Sequence, residues 1–214
     1  MVESIGSYKE LSERVLERLR PSGPPLIVGI GGPPAVGKST LARRLVEDIQ
    51  AMGPSACHCP MDGFHLTNAE LEESGLQDFK GRRDTFDGTG FVKAVGRLGN
   101  AAAFWWPLYC RILHEPVQEG VYVDGAEAAY AVEGNYVLLD KSPWRTAARG
   151  MDLRIFVDNS DAVLRARLLR RHLRGGRSGR QALAKIDRSD LPNAREIRSR
   201  RIVEDMLFVE AADV

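Results

Sequence analysis

Long apolar runs are what this sequence most lacks. No stretch approaches the ~20 consecutive apolar residues that a membrane-spanning helix needs, and Met1 to Ser12 has neither the basic start nor the apolar core of a secretory leader. The expectation is a cytoplasmic protein with no membrane partner. An excess of one charge is missing as well: 30 Lys and Arg face 29 Asp and Glu, a formal net charge of +1, far from the basic surplus of a dedicated nucleic-acid binder. Three cysteines are too few, and odd in number, for a disulfide framework, which fits reduced thiols in a reducing compartment. Cys57-His58-Cys59 offers ligating side chains, but no second pair at zinc spacing follows, and the stretch reads as a strand. Internal repeats and low-complexity segments are absent. The expected partner is a small molecule, and a homodimer is left open.

At 214 residues the chain suits one α/β domain with a sizeable core, spanning 1–214. Ser7 and Glu10 form a capping-box pattern, and Leu11, Val15, Leu16 and Leu19 recur at helical spacing. They predict an amphipathic helix over 7–20, followed by a linker from Pro21 to Pro25. Leu26-Ile27-Val28-Gly29-Ile30 is a short apolar run of the kind buried in a parallel sheet. A helix from Lys38 to Met52 follows, with Leu41, Leu45 and Ile49 spaced by four and Gly53-Pro54 as its stop. Ser55 to Met61 reads as a second strand leading into Asp62-Gly63, and Thr67 with Glu70 opens a short helix that ends at Gly75. Gln77 to Gly90 is a polar loop, and Phe91, Val95 and Leu98 suggest a short helix after it. Ala128 to Val132 and Leu153 to Val157 are apolar runs that end abruptly in Glu133-Gly134-Asn135 and Asp158-Asn159-Ser160; both predict parallel strands. Ser160 and Asp161 cap a helix running to Arg174, which Gly175-Gly176 ends, and a last helix is expected from about Pro192 to Val209. Strands alternating with helices predict a doubly wound parallel sheet, with ligands at the carboxyl ends of its strands.

Gly32-Pro33-Pro34-Ala35-Val36-Gly37-Lys38-Ser39 fits G-x-x-x-x-G-K-[ST] at every fixed position, directly between a predicted strand and a predicted helix. The glycines let the backbone turn so that successive N–H groups point into one concavity, and the helix N-terminus adds positive potential. Lys38 then reaches the β- and γ-phosphates of ATP, Ser39 ligates Mg2+, and Thr40 completes the nucleotide loop. The fold expected is that of the P-loop nucleoside triphosphate hydrolases. A GTPase switch would need Asn-Lys-x-Asp after a strand, and the nearest match, Ala184-Lys185-Ile186-Asp187, lacks the Asn. Motor ATPases and helicases carry added modules for which this chain has no room. A small-molecule kinase is left, with a nucleotide-binding regulatory protein that has lost turnover as the alternative.

Three further stretches, Met61-Asp62-Gly63-Phe64-His65-Leu66, Lys80-Gly81-Arg82-Arg83-Asp84-Thr85-Phe86-Asp87 and Val132-Glu133-Gly134-Asn135-Tyr136-Val137-Leu138-Leu139, resemble those of the uridine kinase, pantothenate kinase and phosphoribulokinase group. The similarity is greatest to the bacterial branch named "putative fructose transport system kinases" and runs from about Ser7 to the C-terminus. The resemblance implies an ATP-dependent transfer to a metabolite hydroxyl, that of a sugar such as fructose before a nucleoside or a pantothenate-like acid. It implies a catalytic base at Asp62, a metal-linked or substrate-linked acid at Glu133, and an arginine-rich lid over about 167–180.

Elementary chemistry agrees with these roles. A hydroxyl nucleophile needs a carboxylate within reach of its proton, and Asp62 ends a strand expected beside the P-loop strand. Glu133 ends an apolar strand, where a carboxylate is costly unless paired or close to a cation such as Mg2+. Arg165, Arg167, Arg170, Arg171, Arg174, Arg177 and Arg180 crowd one stretch broken by glycines, as a closing lid requires. Arg167 and Arg171, one turn apart, are the best phosphate contacts. His65, Arg82, Arg83, Asp84, Arg111 and Asn135 are the candidate acceptor contacts. Cys110 precedes Arg111 where related proteins show Asp, and Phe104-Trp105-Trp106 nearby is a candidate wall of the acceptor pocket.

Overall fold

The apolar runs line up side by side, because a strand buried on both faces needs neighbours for its backbone and cover for its side chains. The computed structural model describes residues 2–20, 23–100 and 102–209, so Pro21 and Ser22 of the expected linker lie outside the described residues. In chain order the strands are β1 (Glu3–Ile5), β2 (Leu26–Gly31), β3 (Ala56–Pro60), β4 (Phe104–Cys110), β5 (Glu115–Val123), β6 (Ala129–Gly134), β7 (Leu153–Asp158) and β8 (Met206–Val209). The helices are α1 (Tyr8–Leu16), α2 (Lys38–Ala51), α3 (Asn68–Glu73), α4 (Gly88–Val95), α5 (Trp144–Arg149), α6 (Asp161–Arg174), α7 (Gly179–Lys185) and α8 (Leu191–Ser199). Six strands form one sheet in the order β1-β8-β7-β2-β6-β3, every pair parallel.

Alternation along the strands sends side chains to two cores. Ala129 and Ala131 of β6 face one way, packing with Leu41, Leu45 and Ile49 of α2, Leu11 and Val15 of α1, and Leu164 and Leu168 of α6. Tyr130 and Val132 face the other way, against Phe91 of α4, Trp144 and Ala148 of α5, and Trp106 of β4. Helices on both faces make this the doubly wound parallel sheet of the P-loop fold.

Several boundaries differ from expectation. Asp62 follows a strand that does not adjoin the P-loop strand: β6 lies between β2 and β3, because sequence order does not set sheet order once crossovers intervene. The N-terminal helix stops at Leu16, and the next residues tighten into bonds from Arg18 N to Val15 O and from Leu19 N to Leu16 O. The expected last helix ends at Ser199, and its last four residues, Met206–Val209, form strand β8 instead. There the Asp205 carboxylate takes bonds from Arg154 N and Arg154 Nη2, at 2.8 and 3.0 Å, which lays the chain alongside β7. Where glycines were expected to leave a flexible segment after Arg174, Ser178 caps a further helix, α7, through a capping box with Gln181. Within the polar loop after Gln77, Asp87 caps α4 by accepting from Gly90 N at 2.8 Å. The antiparallel pair β4–β5 was not expected at all.

Candidate functional site

The loop after β2 is wound as its glycines require. Gly32 has φ +150, and a Cβ there would come 2.1 Å from the Val157 carbonyl of β7; Gly37, at φ +110, caps α2. Lys38, the first residue of α2, is buried, and its ammonium donates to Gly32 O at 2.9 Å, Pro33 O at 2.8 Å and Asn135 Oδ1 at 2.9 Å. Three neutral oxygens hold the cation where phosphate oxygens are expected. Burial pulls its pKa down to about 8, although Glu133 and Asp62 oppose the shift, and Arg171 adds like-charge repulsion.

Asp62 lies in a tight helical turn, Met61–Phe64, directly after β3. Its backbone carbonyl accepts from His65, whose Nδ1 is 2.7 Å away. A carbonyl only accepts, so Nδ1 carries the hydrogen and Nε2 keeps its lone pair. Burial, with Lys80 and Arg171 adding to it, holds the imidazole below its ordinary pKa against the attraction of Asp62. It is therefore a neutral acceptor near pH 7. Its ring sits between Phe86 and Tyr109, with centroids 3.9 and 4.8 Å away. Lys80 spans the same wall, bonded to His114 O and Asn68 Oδ1, each at 2.7 Å.

Glu133 is 5 % exposed. Burial alone would push its carboxyl up, but the close approach of His58, at 3.4 Å, the charge of Lys38 and the Ser39 hydroxyl outweigh it and hold the group below the usual range. Ser39 and Glu133 thus meet at the mouth of the P-loop, a hydroxyl and an ionised carboxylate of the kind that holds Mg2+ together with nucleotide phosphates. Among the described residues no group of three or more His, Cys, Asp and Glu could hold a metal ion. A hydroxyl beside an ionised carboxylate at the P-loop fits a magnesium ion that takes its remaining ligands from nucleotide and water.

One cavity of about 1320 Å³ joins these parts. Of the expected nucleotide residues, Pro34, Ala35, Gly37, Lys38, Ser39 and Thr40 line it, with Arg167 and Arg171. Gly32, Pro33 and Val36 lie behind the surface, their carbonyls accepting from Lys38 and Arg167. Asp62, His65, Arg111, Glu133 and Asn135 line the same cavity. Arg82, Arg83 and Asp84 do not: Arg82 pairs with Asp84, Arg83 pairs with Glu196 of α8, and Arg83 and Asp84 border a separate hollow. Phe104 and Trp106 are core residues and Trp105 faces that same separate hollow, so the aromatic triplet is no wall of this cavity.

Sequence reasoning gave no role to His58, Phe86, Tyr109 or His114. Tyr109 stands two residues from Arg111, a strand-like spacing that would have put both on one face. His114, at φ +53 in the hairpin turn, left no such trace.

No family model matches the chain. A crystal structure of the "putative fructose transport system kinase" from Silicibacter sp. TM1040 superposes with a TM-score of 0.88 at 35 % identity, covering 94 % of this chain and 98 % of that one. The "uncharacterized protein YggC" of Escherichia coli is 33 % identical over 174 residues, 80 % of this chain and 72 % of that protein. The "putative uridine kinase C227.14" of Schizosaccharomyces pombe is 28 % identical over 214 residues, 95 % of this chain and 91 % of that protein. A pantothenate kinase of Nocardioides sp. is 30 % identical over 182 residues, 81 % of this chain and 55 % of that enzyme.

Proposed function

Because the chain belongs to the P-loop kinase group of the uridine, pantothenate and fructose-transport-system kinases, and is thus an ATP-dependent small-molecule kinase that works with Mg2+, we propose that its acceptor is a sugar such as fructose and that Asp62 is the base. The observation that carries this reading is the single cavity with the P-loop on one wall and Asp62 and His65 on the other. The γ-phosphoryl group lies between them when nucleotide and acceptor are both present.

The chain's own residues then divide the work. Lys38 leaves its three neutral oxygens for the phosphates, an exchange favoured by charge. Arg167 and Arg171 lower charge on the transferring group from the α6 side. Asp62 accepts the acceptor's hydroxyl proton as the oxygen attacks in line, and neutral His65 takes a hydrogen bond from a neighbouring hydroxyl through Nε2. Ser39 and Glu133 would hold magnesium, which would supply positive charge to offset that of the phosphates. Closing α6 and α7 over the cavity excludes water, so that phosphate passes to the acceptor instead of being lost to hydrolysis. We place the enzyme in the cytoplasm, as one domain, in keeping with its ATP supply and unpaired thiols.

Lys80, Arg111 and His114 on the acceptor wall favour, as a second reading, an acceptor that also carries a carboxylate, such as a pantothenate-like acid. A coupled ADP-release assay over sugars, nucleosides and hydroxy acids separates the two. A sugar that gives the highest kcat/KM supports the first reading, a hydroxy acid supports the second, and a nucleoside preference contradicts both.

A further inference from the structure

Strand β3 carries a histidine that the mechanism above does not use. Register pairs His58 with Ala131 and Pro60 with Glu133, so His58 and Glu133 emerge on the same face of adjacent parallel strands, two residues apart along the sheet. The small Ala131 opposite lets the imidazole lean forward. Its Nε2 comes 3.4 Å from Glu133 Oε1, and among the described residues that buried nitrogen has no well-aligned hydrogen-bond partner. Glu133 needs such a neighbour. Lys38 spends its hydrogens on Gly32, Pro33 and Asn135, so that without His58 the desolvated Glu133 carboxylate would have the Ser39 hydroxyl and the charge of Lys38 near it but no bond from that ammonium.

We propose that His58 is a positioning residue for phosphoryl transfer: it clamps the Glu133 carboxylate from the sheet side and keeps it turned toward Ser39 and the magnesium site. The proposal rests on the reading of Glu133 as the metal-linked acid. It concerns this chain's own geometry, in which an imidazole supports a metal-linked carboxylate as outer-shell partners support ligands elsewhere. A buried nitrogen without a well-aligned partner, 3.4 Å from the buried carboxylate at the end of β6, is not explained by filling space, which an apolar side chain does at lower cost.

The test is Mn2+ affinity of the ADP complex, read by electron paramagnetic resonance, beside the affinity for ADP without metal. Wild type is compared with Glu133→Gln, His58→Leu and His58→Gln. Glu133→Gln weakens Mn2+ binding, His58→Leu weakens it by ~10–100-fold, and His58→Gln, which keeps an N–H donor at similar reach, returns most of the loss. Metal-free ADP affinity stays that of wild type throughout. Should His58→Leu not fold, His58→Asn, whose amide falls short of Glu133, takes its place with the same expected loss. Weakening in Glu133→Gln with wild-type behaviour in His58→Leu overturns the role of His58 and leaves Glu133 as metal ligand. Wild-type Mn2+ affinity in Glu133→Gln removes the reading of Glu133, and the proposal with it. Equal loss in His58→Leu and His58→Gln, or loss of metal-free ADP affinity, makes His58 a merely structural residue.

Discussion

The two walls of the cavity are made in opposite ways. The nucleotide wall is one continuous segment, Gly32 to Thr40, whose shape follows from its own glycines and from the helix it opens. The acceptor wall is assembled from the turn after β3, the loop that holds Lys80 and Phe86, and the β4–β5 hairpin. Long-range contacts hold it in place. Trp106 Nε1 donates to Pro60 O at 2.9 Å, Lys80 bridges to His114 O, and Gly63 lies so close to β4 that a Cβ would sit 1.9 Å from Pro107 O. Local winding makes a phosphate cradle that serves any nucleotide kinase, whereas assembly from distant pieces lets the acceptor site vary without disturbing the cradle.

If that division holds, changes to one wall should spare the other. The largest effect is expected for Asp62→Asn, which keeps shape but removes the proton acceptor. Turnover should fall by roughly 10²–10⁴-fold while ATP affinity changes little. If most turnover survives and only the acceptor KM rises, Asp62 merely positions substrate and Glu133 becomes the candidate base.

Next in size are Arg167→Ala and Arg171→Ala, each expected to cost about 10-fold in kcat/KM for ATP through loss of a charge-assisted bond. Hydrogen exchange over 167–179 should slow when ATP and acceptor are both bound. Equal protection in free and bound enzyme would leave these arginines as ordinary surface.

A change confined to the acceptor wall sharpens the contrast. Gly63→Ala must push β4 away, so thermal melts should show a loss of about 1–3 kcal/mol, with a raised acceptor KM and unchanged ADP affinity. A parallel loss of ADP affinity would show that the walls are not independent.

The smallest effect lies far from both. Burial raises the pKa of Asp48, but bonds from Ser12 and Tyr8, each 2.6 Å, and the charge of Arg44 outweigh this and hold it below the usual carboxylate range. A depressed carboxylate stabilises the fold above its unfolded pKa, and that contribution is lost as pH falls through the folded value. Melting temperature should therefore drop more steeply toward acid in wild type than in Asp48→Asn, with turnover at neutral pH equal in both. Identical acid limbs would remove Asp48 as the anchor of α1.

The same division explains what the sequence disclosed. Strand β2, the loop and α2 were legible because hydrophobic period, glycine placement and motif agree within a short segment. So was the polar end of β6, where a buried apolar run meets the Glu133 carboxylate. The hairpin was not legible: Trp105, Val117 and Tyr122 face outward and blur the alternation that marks a half-buried strand. Strand β8 was hidden because Ile197, Met206 and Phe208 continue an apolar pattern that both a helix and a strand can use, and the decision falls to Asp205 meeting Arg154. Arg83 looked like an acceptor contact since nothing nearby in sequence announces Glu196 as its partner.

The measurement that meets the central claim most directly is ³¹P NMR of wild-type enzyme with ATP, Mg2+ and the acceptor that most accelerates ADP release. The account predicts a new phosphomonoester resonance that grows in step with ADP, placed on an acceptor hydroxyl, with little inorganic phosphate. ADP accompanied only by inorganic phosphate, or tight ATP binding with no product under any acceptor, would contradict it.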